Sequence, residues 1–233
     1  MGWSLFNLPP EIRNQIYDEL LVVSQPLYLS PTPLWDTRAV CLYGSHDPTC
    51  TPGLRLWPAI LRVSRAVHRE AAWRLYAANC FSLQRTNPYF DMVFPFDVGD
   101  FFASFLGVIG PRNAGYLRRV RIPFPRLGSP NPPPPAIGGV EREFSLEQQS
   151  RLLLETFAAR CPELRVLQVS AAMGCFPEGG SPDAASKALS VVGAQVGAIK
   201  SLRSVIVEFY GALSSPHLRH LMAAYGWTVQ LVQ

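Results

Sequence analysis

Three segments share the pattern Leu-Arg-x-[Val/Leu]-x-[Ile/Val], starting at Leu117, Leu164 and Leu202, and each follows a stretch with the apolar spacing of a helix. Apolar residues that alternate mark a half-buried strand, whereas recurrence every three or four residues marks an amphipathic helix. Before Leu117 the helical stripe is Phe101, Phe102, Phe105, Leu106 and Ile109, opened by Asp97 or Asp100 and closed by Gly110-Pro111. Before Leu164 it is Leu146, Leu153 and Phe157, with Ser145 and Gln148 spaced as a capping box. Before Leu202, Asp183 is placed to cap a helix carrying Ala185, Leu189, Val192, Val196 and Ile199. A last helix opens at Ser215-Pro216, carries Leu218, Leu221, Met222 and Tyr225, stops at Gly226 and leads to a closing strand over 227–232. None of these short elements can bury its apolar side alone, so neighbouring units must stack side by side to close a core. Helix–strand alternation predicts a largely parallel sheet with right-handed crossovers. The strand starts lie 47 and then 38 residues apart, so the units are irregular.

The front of the chain reads differently. Pro9 and Pro10 suit a first helical turn, whose N–H groups have no partner in any case, and Glu11 follows at the positive end of the dipole. The spacing predicts a helix over about 9–22, with Ile12, Ile16 and Leu20 in one row and Tyr17 and Leu21 one position round. A second helix is expected from Pro58, with Ile60, Val63, Val67, Ala71 and Leu75 as its buried stripe and Asn79 as its C-terminal cap. On that helix Glu70 and Arg74 have the i, i+4 spacing of an ion pair, and His68 reads as a surface residue. Between the two helices the insertion at 24–57 is rich in turn signals, with Leu27–Leu29 and Val40–Tyr43 as short strands of a hairpin. Cys80–Leu83 reads as a further strand.

The string Leu8-Pro9-Pro10-Glu11-Ile12-Arg13, completed by Ile16-Tyr17, is joined by Leu61-Arg62-Val63-Ser64-Arg65 and by Leu75-Tyr76 with Asn79 and Phe81. Together these resemble the F-box-like proteins abundant in filamentous fungi. The resemblance covers roughly 5–83. The Cys161-Pro162-x-Leu164-x-x-Leu167-x-Val169 segment is similar to the repeats that follow F-boxes in leucine-rich-repeat adaptors. A compact F-box has a short turn where this chain carries its long insertion. The resemblance implies a protein-interaction role, with Leu8, Pro9, Ile12, Ile16, Tyr17, Leu61 and Val63 forming a face toward Skp1. It also implies a substrate held by the C-terminal module for a cullin ubiquitin ligase. Without the resemblance, the same apolar residues read as plain core, giving an F-box-like fold that binds no Skp1.

Composition narrows the classes. Of 233 residues 48% are hydrophobic and 11% aromatic, which suits a packed core rather than a disordered tail. No apolar run approaches the ~20 residues of a membrane span, and Met1–Phe6 lacks the basic start of a signal peptide, so an intracellular protein, cytoplasmic or nuclear, with no membrane association is expected. Cys41, Cys50, Cys80, Cys161 and Cys175 are scattered without a Cys-x-x-Cys pair and read as free thiols. Net charge is +4, and the densest basic stretch is Arg112, Arg118, Arg119, Arg121 and Arg126. Nucleic acid would require these on one face with interleaved aromatics; a solvated rim or an acidic protein partner fits the spacing better.

No catalytic constellation stands out. There is no Gly-x-Ser-x-Gly, P-loop or Gly-x-Gly-x-x-Gly, and Asp36, Asp47 and Asp91 have no nucleophile or base beside them in sequence. His217 and His220 share a helix face but lack a third ligand nearby. A Pro-rich loop at 123–139 is polyproline-biased, and docking to an SH3 or WW domain is a minor reading of it. The expectation is therefore a non-enzymatic α/β protein with no cofactor or metal. Its 1–83 region is F-box-like helices with the 24–57 insertion. Its 84–233 region is irregular, leucine-rich-repeat-like helix–strand units forming a small, largely parallel sheet.

Overall fold

A computed structural model of the chain describes residues 4–31, 40–43, 56–83, 98–128, 145–171, 182–210 and 216–232, with side chains placed for all of these but 30, 31, 40–43 and 182. Six helices and nine strands are described: α1 (Pro10–Leu21), β1 (Leu27–Pro31), β2 (Val40–Tyr43), α2 (Arg65–Ala78), β3 (Cys80–Ser82), α3 (Val98–Ala114), β4 (Arg119–Pro123), β5 (Leu127–Gly128), β6 (Ser145–Leu146), α4 (Gln148–Arg160), β7 (Val166–Ala171), α5 (Pro182–Gly197), β8 (Ser204–Tyr210), α6 (Pro216–Ala224) and β9 (Thr228–Val232). Seven of the strands form one sheet in the order β2-β1-β3-β4-β7-β8-β9. Every pairing in it is parallel except the β1–β2 hairpin at one edge. The protein is thus α/β with a mostly parallel sheet, and β9 extends it at the opposite edge.

From β1 onward the strands advance across the sheet in chain order. Right-handed crossovers that always step the same way put the described crossover helices, α2 to α6, on the same side. The helices accordingly touch in sequence, α2 with α3, α3 with α4, α4 with α5 and α5 with α6. The strand residues facing them are Phe81, Val120, Ile122, Leu167, Val169, Val205 and Val207, all buried. Each such side chain contributes roughly 1.5–3 kcal/mol through the apolar surface it removes from water. Against them pack Phe102 and Phe105 of α3, Leu154 and Phe157 of α4, Leu189 and Val192 of α5 and Met222 of α6. One core runs from Tyr17 to Trp227. The division between 83 and 84 expected from the sequence falls between β3 and β4, which are hydrogen-bonded neighbours over that core.

The repeated Leu-Arg corner has a structural reason. Leu117 and Leu164 are wholly buried beneath the strand that follows each of them. The Arg118 carbonyl accepts the N–H groups of Arg165 and Val166 at 2.9 and 3.0 Å. The Arg165 carbonyl accepts those of Arg203 and Ser204 at 2.8 and 3.1 Å, so one corner sets the register of the next.

Several local expectations are corrected. The segment 58–62 is a 3-10 turn, and α2 begins anew at Arg65 because the Ser64 side chain accepts the Val67 N–H. Val63 sits at the break and is exposed, not part of the buried stripe, whereas Val67, Ala71 and Leu75 are buried. Ser145 is no capping residue: it pairs with Gly128 in the β5–β6 ladder, and Glu147 precedes the helix without a side-chain cap. The Ser150 hydroxyl instead accepts the Arg126 N–H at 2.9 Å. The stop expected at Gly110-Pro111, by contrast, is present within α3: Gly110 takes the non-helical φ 78° and ψ 164°, and Pro111 opens a second short segment. Glu70 does not pair with Arg74 along α2; both reach across to α1, as described below. Of the Pro-rich loop at 123–139, the part from 129 lies outside the described residues, as do Asp36, Asp47, Asp91, Asp97, Cys50 and Cys175.

Candidate functional site

Helices α1 and α2 pack side by side, and charged groups lock them together. Arg13 lies on the side of α1 that meets α2, so its guanidinium reaches Glu70 through Nε at 2.9 Å and Nη2 at 2.8 Å. Its Nη1 donates to the Leu8 carbonyl at 2.7 Å, fixing the chain just ahead of the helix. The Tyr17 hydroxyl donates to the same Glu70 carboxylate at 3.1 Å. Arg13 holds the Glu70 carboxyl below the usual carboxylate range, while burial pushes the Tyr17 hydroxyl up. One turn on, Arg74 bonds Asp18 at 3.1 Å. At the far end the buried Asn79 amide donates to the Leu21 and Leu75 carbonyls at 2.6 and 2.8 Å and accepts the Val23 N–H at 2.9 Å.

This arrangement sorts the seven residues expected to face Skp1. Tyr17 is wholly buried and belongs to the core, together with Leu21. Leu8, Ile16 and Leu61 are half-buried, Pro9 is exposed, Ile12 is 41% exposed and Val63 72%. The inward row of α1 is therefore 17 and 21, one position round from the row of 12, 16 and 20. Sequence spacing leaves that phase open because both rows are apolar. Two further large apolar residues are exposed: Phe6, with the Arg13 guanidinium 5.4 Å from its ring centre, and Trp57, 60% exposed, whose backbone N–H donates to the Leu20 carbonyl near the C-terminal end of α1.

The arginines of 112–126 do not share one free face. Arg112 is exposed and bonds the Tyr116 hydroxyl, Arg118 is half-buried, and Arg126 is exposed on the segment leading into β5. Arg119 and Arg121 do lie on one face of β4, the face turned away from the helices. Arg119 is exposed there and donates to the Ala78 carbonyl. Arg121 is buried: it bonds Glu208 and the Tyr210 hydroxyl of β8 through Nη2, and Ser170 of β7 through Nε at 3.2 Å.

That polar cluster was not foreseen. Its trace in the sequence is Glu208 inside the otherwise apolar run Val205–Phe209, since a lone carboxylate in a central parallel strand demands a cation from a neighbour. On the same face the Cys80 thiol donates to Gln168 Oε1 at 3.1 Å, and burial pushes that thiol up to about 11. Cys161, buried at the end of α4, is pushed up to about 12 by the same cause. Both thiols stay protonated near neutrality, which removes the thiolate that nucleophilic chemistry would need. Among the described residues, the face opposite α2 to α6 otherwise carries half-buried Val166, Gln168, Ser204 and Ile206 and exposed Tyr210.

His217 and His220 are exposed on α6, and among the described residues no three His, Cys, Asp or Glu side chains gather as metal ligands would. Among the same residues no helix is long and apolar enough to cross a membrane. Comparison with protein-family models, with curated proteins and with solved structures finds no match to this chain.

Proposed function

We propose that this chain is a non-enzymatic protein-interaction module: an F-box-like helical front end joined to a leucine-rich-repeat-like helix–strand sheet, acting as an adaptor between Skp1 and a second protein. The observation that supports this reading is the exposure of Ile12, Val63, Phe6 and Trp57 on the segments that form a helix pair joined by Arg13–Glu70. Large apolar side chains left in solvent are a common mark of a partner surface, and here they are distributed over the 5–7 turn, α1 and the ends of the 58–62 turn. The pair beneath them needs no partner to hold its shape, because Tyr17 and Leu21 are already buried in this chain's own core. The sheet face opposite α2 to α6, with Arg119, Gln168 and Tyr210, is the surface for the second protein. In that role the chain contributes proximity, raising the effective concentration of one partner near the other, and the covalent chemistry belongs to the ligase.

Relative to the face expected from the sequence, the proposed Skp1 contact keeps Leu8, Pro9, Ile12, Ile16, Leu61 and Val63 and drops Tyr17. Co-expression with Skp1 tests it: a complex that survives gel filtration is expected, and the Ile12→Asp/Val63→Asp variant is expected to fold normally yet lose Skp1. Failure of the wild-type protein to retain Skp1 would leave the alternative, an F-box-like fold whose partner is another protein. The arginines of 112–126 favour no nucleic-acid reading, since Arg121 is spent on Glu208, Arg112 bonds Tyr116 and Arg119 bonds the Ala78 carbonyl.

A further inference from the structure

Strand β9 is an edge of an unusual kind. Its inner side pairs with β8 over Thr228–Val232, and among the described residues nothing pairs with its outer side. Edge strands of this sort are normally blunted by lysine, proline, an inward charge or a bulge, because their free N–H and C=O groups recruit other strands. Thr-Val-Gln-Leu-Val carries none of these, while β4 and β8 in the same sheet carry Arg119, Arg121 and Glu208. Leu231, on the helix-covered side of the sheet next to Phe209, is nevertheless 54% exposed.

We propose that β9 pairs antiparallel with β9 of a second copy of this chain across a two-fold axis, joining the two sheets edge to edge. The strand is complementary to itself in that register. With the axis at Gln230, Thr228 faces Val232 and Val229 faces Leu231, so each apolar side chain of the helix side meets an apolar one. The two Gln230 side chains, exposed on the other side, meet at the axis, where one amide donates and the other accepts. No ionisable group opposes its own copy. An isologous contact of this form closes at two copies and does not propagate. Five paired residues and one covered leucine make a small interface, so the dimer is weak and concentration-dependent.

The test is sedimentation velocity from about 1 to about 200 μM, the span over which an interface of this size associates. Wild-type protein is expected to move from 25.8 kDa toward twice that mass as concentration rises. Gln230→Lys and Gln230→Glu place like charges at the axis on an exposed position, so each alone is expected to stay monomeric with unchanged circular dichroism. An equimolar mixture of the two is expected to restore the dimer. A wild-type protein that remains monomeric throughout, or a dimer that survives in both single variants, would overturn the proposal. Neither result bears on Skp1 binding, which uses the other end of the molecule.

Discussion

Arg13 and Glu70 join the first two helices through two parallel hydrogen bonds, Nε to Oε2 at 2.9 Å and Nη2 to Oε1 at 2.8 Å. Such a fork is stronger and more directional than a single contact, and it fixes how α1 lies on α2. Arg13's hydrogen bonds are the main cause of the lowered Glu70 carboxyl; partial burial opposes them and the Tyr17 hydroxyl reinforces them. A carboxyl lowered by folding adds stability that is fully present above its unfolded value, about 4.3, and that is lost as pH falls through the folded value. Glu70→Gln should therefore lower Tm at pH 7 by about 2–4 °C, with the gap to wild type closing below about pH 4. Thermal melts from pH 3 to about pH 8 read both.

Asn79 ties the ends of α1 and α2 with three hydrogen bonds made by one buried amide. Removing it strands the Leu21 carbonyl and the Val23 N–H, and a buried unpaired polar group costs about 1–3 kcal/mol. Asn79→Ala should cost about 2–4 kcal/mol in urea denaturation. Asn79→Asp should be at least as damaging, because a carboxylate cannot donate to the two carbonyls.

Two glycines at positive φ should respond differently to the same replacements. Gly226, at φ 73° after α6, ends that helix; its N–H is accepted by the Ala223 carbonyl. Asparagine tolerates the left-handed region, so Gly226→Ala should cost about 1 kcal/mol and Gly226→Asn less. Gly110 combines φ 78° with ψ 164°, a region essentially reserved for glycine. Gly110→Ala should cost about 1–3 kcal/mol, and asparagine should give no relief. Denaturant midpoints of the four variants check the ordering.

Arg121 and Glu208 sit on strands separated by β7, with Ser170 between them. Both are buried, so breaking the pair leaves a charge without compensation. Glu208→Ala should cost about 3–5 kcal/mol, whereas replacing both residues together by Met and Leu should be close to neutral. The double-mutant cycle should then give a large coupling, and simple addition of the two single effects would contradict the pairing.

Periodicity and turn chemistry gave away much of this architecture. The helix-then-strand order, the hairpin of 27–31 and 40–43, the cap at Asn79, the stop at Gly226 and the closing strand were all legible, because each depends on residues near in sequence. What was not legible depends on residues far apart. Glu70 has Arg74 one turn away, yet α1 brings Arg13 closer with a better fork. Ser145 has the spacing of a capping residue, yet strand pairing with Gly128 claims it first. The phase of α1 was open because rows 12-16-20 and 17-21 are both apolar, and only packing against α2 selects the second. The split of the seven residues expected to face Skp1 into buried Tyr17, half-buried Leu8, Ile16 and Leu61, and exposed Pro9, Ile12 and Val63 required the fold. The Arg121 cluster, drawn from three strands, could be reached from sequence only through the oddity of Glu208 in an apolar run.

Hydrogen exchange of the full chain with and without Skp1 addresses the central claim most directly. The account predicts slowed exchange at residues 5–16 and 57–63, where the uncovered apolar side chains stand, and no change across β4, β7 and β8. Absence of any protection in the first two segments at saturating Skp1, or protection confined to the sheet, would contradict it.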